Sequence, residues 1–169
     1  ACDLAQNVKD AGIEAQARIA IAKLLYRDHA KALSQYEKVV TLAKIAEDPF
    51  LEVDGLREIG KHLSWQGKHE QARESLEQAL DLCQSLPYKS GELDILINLA
   101  AVAMHQGNHA ESMAIEERAL QLSRLMGDAC KEALVLGNMA VTLHAQGNLV
   151  GCQRYQKESL AIRRQLNVP

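Results

Sequence analysis

A triplet returns in this chain of 169 residues at an interval of forty: Gln66-Gly67-Lys68, Gln106-Gly107-Asn108 and Gln146-Gly147-Asn148. A fixed period of this length means a stack of like units, each burying its apolar face against its neighbours, rather than one irregular core. The register holds beyond the triplet. Leu56, Leu96 and Leu136 lie ten residues before each Gln, and Ala79-Leu80, Ala119-Leu120 and Ser159-Leu160 follow it, then Leu82, Leu122 and Ile162. Glu52, Glu92 and Glu132 share a further column, and residues 51–90 and 91–130 have ten identical positions. A weaker copy occupies 11–50, where Ala32 matches Ala72, Leu42 matches Leu82, and Tyr26-Arg27-Asp28 stands in place of the triplet.

Within each unit the apolar spacing is helical. Leu93, Leu96, Leu99, Ala100 and Ala103 recur at three and four residues, break at Gly107, and resume with Ala110, Met113, Ala114, Ala119 and Leu120. Each unit therefore reads as a helix pair, with a first helix over 53–65, 93–105 and 133–145 and a second over 69–86, 109–126 and 149–166. Gly67, Gly107 and Gly147 supply the left-handed residue that ends a helix without a Cβ clash. Pro87 and the Gly127-Asp128 step stop the second helices, and Asp128 is placed to cap the helix that follows. Three prolines, six aromatic residues and abundant Ala, Leu, Gln and Glu argue against a β-sandwich or barrel, so the fold class is all-α.

These columns resemble the tetratricopeptide repeat over about 160 residues. Leu56 with Ile59-Gly60, Leu96 with Leu99-Ala100 and Leu136 with Met139-Ala140 match the first-helix pattern. Ala32, Ala72, Ser112 and Cys152 match the small residue of the second helix. Gln16 and Arg27 depart from the pattern in the first repeat, the closing Pro is absent, and the unit is forty residues long, as in the extended-helix variety of kinesin light chains and regulatory arms of signalling proteins. The resemblance implies a right-handed α-α superhelix of about four helix-turn-helix repeats, 11–50, 51–90, 91–130 and 131–169. Residues 1–10, with Leu4 to Asp10 similar to Leu42 to Asp48, read as the end of a preceding helix. The chain is thus expected to be a single repeat domain excised from a longer protein, with uncapped ends where further chain, a partner or a second copy would continue the stack.

The chemistry-bearing residues favour no catalysis. His105 and His109 are four apart, but Gly107 breaks the helix between them, so no metal face forms. His29, His69 and His109 share a column and read as turn or cap residues. Cys152 stands in the small-residue column as a packing thiol. Glu116-Glu117 and the carboxylates from Glu70 to Glu77 read as a solvated helix face, with Glu77 near Arg73. No phosphate loop or nucleophile elbow is present. The reading is a non-enzyme without metal or cofactor.

A net charge of −3 draws the chain toward neither nucleic acid nor anionic membrane. The longest apolar run is too short to span a bilayer. Four cysteines without a C-x-x-C pair suit a reducing compartment, so a cytoplasmic location is expected.

In the family the first helices line a concave groove, which implies a role in binding a protein or peptide segment. On that resemblance the groove residues are Arg57, Glu58, Lys61 and Trp65 in the second repeat, Asn98 and His105 in the third, and Asn138 and His144 in the fourth. Arg18, Arg57 and Lys61 gather positive charge at one end, with Arg57 and Lys61 spaced to grip a carboxylate. Asn98 and Asn138 share a column where an amide can bond an extended backbone, or simply solvate the helix. Trp65 is either an exposed anchor or a wedge between repeats. The alternative function is the sensory arm of a larger regulator, in which ligand binding or self-association controls an output domain.

Overall fold

The computed structural model describes the backbone of residues 2–25 and 27–166, with side chains from Gln6 onward. Among the described residues the chain forms eight helices and no strand. They are α1 (Cys2–Leu24), α2 (His29–Ile45), α3 (Pro49–Trp65), α4 (His69–Gln84), α5 (Lys89–His105), α6 (His109–Met126), α7 (Ala129–Ala145) and α8 (Leu149–Gln165). The forty-residue interval reappears in the coordinates: α3, α5 and α7 begin at 49, 89 and 129, while α2, α4, α6 and α8 begin at 29, 69, 109 and 149.

Short-range chemistry sets these boundaries. Asp28, Asp48, Asp128 and Asn148 each accept the backbone N–H three residues on, through a side-chain oxygen at 2.9–3.1 Å, which satisfies a first-turn donor that the helix itself cannot. Pro49, directly after Asp48, sits where a missing N–H costs nothing. At the other end of α3, α5 and α7, Gly67, Gly107 and Gly147 take φ of +75°, +79° and +77°. The next residues, Lys68, Asn108 and Asn148, then donate back to Leu63, Ala103 and Leu143 at 2.9–3.0 Å. Glu47 does the same work after α2 with φ of 51°, without glycine's freedom.

Three expectations change. The first helices of the pairs start at 49, 89 and 129 rather than 53, 93 and 133, because the helix begins at its cap, a turn before the apolar period is established. Residues 2–10 are not a separate helix end: α1 runs unbroken through Asp10, Ala11 and Gly12. The side chains of Leu4 and Ala5, Tyr26 of the first turn and residues 167–169 lie outside the described residues. Glu116 is not on a solvated face. It is only 3% exposed, with Oε1 accepting from the Thr142 hydroxyl at 3.2 Å and Oε2 unpartnered, and burial pushes its carboxyl up to about 7. Its neighbour Glu117 is exposed, and Arg73 pairs with Glu77 at 3.7 Å as the spacing implied.

The chain divides into two units, residues 1–95 and 96–169. In the first, α1 packs on α2, α2 on α3 and α3 on α4. Ala22, Ala32, Tyr36 and Val39 form a buried cluster with Ile19, Leu25, Leu51 and Ile59 against it. Gly60 lets α3 approach α4: a Cβ there would lie 2.5 Å from Leu76 Cγ and 3.0 Å from the Ala72 carbonyl oxygen.

In the second unit α6 packs on α7 and α7 on α8, and Leu96, Leu99, Leu120, Leu136 and Met139 are buried. There the small-residue column holds Ser112, whose hydroxyl donates to the Ala100 carbonyl at 2.9 Å, and the buried thiol of Cys152. On α8, Gln153, Gln156, Lys157 and Leu160 are exposed, although Gln156 shares the column of the buried Tyr36, Leu76 and Glu116.

Candidate functional site

In the first unit, two adjoining recesses of about 160 Å³ each open between α1 and α3 over α2. One is lined by Ile19, Lys23, Tyr36, Asp54, Gly55, Arg57 and Glu58. The other is lined by Ala22, Lys23, Tyr36, Glu58, Lys61, His62 and Trp65. Lys23, Tyr36 and Glu58 belong to both, so the recesses form one site with two compartments. The helical rise explains the spacing. Asp54, Arg57, Glu58, Lys61 and Trp65 follow at intervals of one, three and four, which puts them on one face of α3.

The charged groups on this face are largely matched within it. Glu58 accepts from Arg57 at 2.9 Å and from Lys61, while the other guanidinium nitrogen of Arg57 lies 3.6 Å from Asp54. Tyr88 donates its hydroxyl to the Asp54 carboxylate at 3.1 Å. The carboxylate that Arg57 and Lys61 grip is therefore one from their own helix. Arg18 is drawn off as well, bonded to Glu14 and, at 3.0 Å, to Gln35. Lys23 forms no ion pair with any described residue, and it leaves the mouth of the site with a surplus positive charge. Tyr36 forms the floor; burial, reinforced by Glu58, pushes its hydroxyl up to about 12, so it stays a neutral donor.

Trp65 closes one end. The residue is 56% exposed, its indole tilted at 49° to the His29 ring with centroids 5.0 Å apart and edge-on 5.2 Å from His62, with the Lys61 ammonium 5.3 Å from its centroid. The ring is thus half anchored and half available. His29 does more than start a helix: its Nδ1 lies 3.2 Å from His62 Nδ1, while the cap of α2 is Asp28.

Arg57, Glu58, Lys61 and Trp65 are thus brought together. Asn98, His105, Asn138 and His144 all lie in the second unit, where the two asparagines are half-buried on α5 and α7 and the two histidines are exposed near the helix ends. The sequence reading missed Lys23, Tyr36, His29 and His62. A signal for His62 was present: its column otherwise holds Ala22, Val102 and Thr142, so an imidazole there is the odd residue. Among the described residues no group of three or more His, Cys, Asp or Glu could hold a metal ion, and no helix is long and apolar enough to cross a membrane.

Family models described as tetratricopeptide repeat match residues 53–128 and 133–169. Among curated proteins none matches the chain. Among solved structures, BtubC (BKLC) from P. vanneervenii is similar with a TM-score of 0.79 at 17% identity, over 90% of this chain and 64% of that one. A Rap protein complexed with Competence and Sporulation Factor reaches 0.82 at 15% identity, over 91% and 44%. A kinesin light chain repeat protein of Podosopora anserina reaches 0.61 at 14%, over 98% and 96%. The chain spans less than two thirds of the length of the first two, and at these identities the likeness is one of fold: an all-α helical repeat architecture.

Proposed function

Since the chain belongs to the tetratricopeptide repeat family, whose folds serve as protein-interaction scaffolds, we propose that the two-compartment recess between α1 and α3 receives an extended segment of a partner protein without catalysis. The half-exposed Trp65 at the edge of a recess floored by Tyr36 carries this reading. A rigid aromatic wall with a polar tip is what an apolar side chain docks against at small cost in ordering entropy. Lys23, which has no ion-pair partner among the described residues, adds the sign of the partner, a carboxylate beside that apolar side chain. Alternate residues of an extended chain point the same way about 7 Å apart, close to the rise of about 6 Å between Arg57 and Lys61, so two such side chains reach the two compartments together. In the second unit Asn98 and Asn138 offer amides to a peptide backbone as a separate surface.

The test is selection of short peptides from a random array with the intact chain and with Trp65→Ala. Enrichment of an aromatic or long aliphatic residue near Asp or Glu, lost on Trp65→Ala while helicity is retained, supports the site. Equal retention by both proteins refutes it.

A second reading is favoured by the likeness to the Rap protein complexed with Competence and Sporulation Factor. On that reading the same recess is the receiving end of a longer cytoplasmic regulator, and occupancy is passed to an output segment.

A further inference from the structure

At the edge of the recess the lining residue His62 makes an unusual contact with His29, two imidazoles facing each other through the same ring nitrogen. His29 opens α2 and His62 lies in the last turns of α3, with Nδ1 to Nδ1 at 3.2 Å and ring centroids 5.3 Å apart. One of the two must donate and the other accept. With no proton or one proton added to the pair this is satisfied, since a neutral or protonated ring donates to a neutral one. With a proton added to both rings, two N–H groups point at each other across that gap, and the contact turns from attraction to repulsion. His62 is 3% exposed and packed against Tyr36 with ring centroids 5.6 Å apart, whereas His29 is half-buried at a helix start. Both rings support the indole of Trp65.

We infer that this pair is a proton-operated support for the binding wall: double protonation expels His29, removes its ring contact with Trp65 and dismantles the anchor end of the recess. The inference rests on the reading of that recess as the binding site.

The surroundings set the direction. From α1, Lys23 faces the same compartment; from α2, Tyr36, which stays neutral; from α3, Lys61 and Glu58; and Asp28 caps the turn beside His29. Burial first, then the Lys61 charge, holds the His62 imidazole below its ordinary value, with Glu58 opposing. The doubly protonated pair is therefore reached only in acid. The recess is thus formed at neutral pH and lost in acid.

Trp65 is the one tryptophan of the chain, so its emission reports this wall directly and without any ligand. Acrylamide quenching of the intact protein is measured between about pH 7.5 and about pH 4.5, with circular dichroism to hold helicity in view. The inference expects quenching to rise in a step below about pH 6.5 at constant helicity, since Trp65 is only 56% exposed at neutral pH and gains exposure when its ring partner leaves. It expects the step to vanish in His29→Asn, where acid can no longer charge both rings. His62→Asn is the second variant, and it too should lose the step. A flat wild-type profile, or an identical step in His29→Asn, overturns the inference. Peptide retention at neutral pH is scored separately, so a failed binding site and a failed proton switch give different results.

Discussion

Glu116 and Thr142 occupy, eighty residues further along the chain, the places of Tyr36 and His62: in each pair a side chain from the second helix of one repeat meets one from the first helix of the next. The two pairs solve the same contact with different chemistry. Tyr36 and His62 pack ring on ring, while Glu116 brings a carboxyl into a place that the intervening repeat gives to Leu76.

That substitution predicts a pH dependence. The folded Glu116 carboxyl sits near 7 against an ordinary 4.5, so the folded chain holds a proton that the unfolded chain has released. Stability is fully present below about pH 4.5 and falls as pH rises toward about 7, by about 3 kcal/mol at roughly 1.4 kcal/mol per unit. Thermal melts of Glu116→Gln should lack this slope, and Glu116→Leu should melt above the wild type at pH 8. A wild-type slope that persists in Glu116→Gln would assign it to other groups.

Gly60 and Gly137 predict opposite outcomes for one substitution. Gly60→Ala drives a methyl against Leu76 and the Ala72 carbonyl, and should cost about 1–3 kcal/mol. At Gly137 the nearest atom to an added Cβ is Ser159 Oγ at 3.8 Å, so Gly137→Ala should stabilise by about 0.5–1 kcal/mol through backbone entropy. Denaturant titrations of both read the sign directly.

The turn residues predict a further pair. Glu47 holds φ of 51° without being glycine, so Glu47→Gly should gain about 0.5–1 kcal/mol. Gly107→Val forces a branched residue to φ of +79° and should lose about 1–2 kcal/mol or more. Unchanged midpoints would deny those turns a left-handed residue.

For binding, Asn98→Ala combined with Asn138→Ala should weaken retention of partner peptides while the melting temperature stays nearly constant. Unaltered affinity would remove the amides from the binding surface and leave the Trp65 recess as the site.

Much of this was readable before any coordinates, because repetition makes a sequence its own comparison. Gly67, Gly107 and Gly147 marked the turns, and Ala72, Ser112 and Cys152 marked the close crossing of paired helices. Starts were misplaced by one turn because apolar spacing says nothing about residues 49–52, where only Asp48-Pro49 carried the signal. The break expected after Asp10 did not occur, since neither Ala11 nor Gly12, a glycine with ordinary φ, ends a helix. On α3, Arg57, Glu58, Lys61 and Trp65 share a face by spacing alone. The partners that complete the site, Lys23, Tyr36 and His29, come from α1 and α2 and had no spacing to announce them. Glu116 was misjudged because charge was taken as evidence of solvent, although its column belonged to Tyr36 and Leu76.

The crossing held open at 32, 72, 112 and 152 has been filled in turn by alanine, alanine, serine and cysteine. Four natural trials of one location amount to a sizing gauge. Nothing bulkier than a single sulfur passes it, and nothing forked has been admitted, so a valine or threonine engineered into any of these seats would pry its two helices apart.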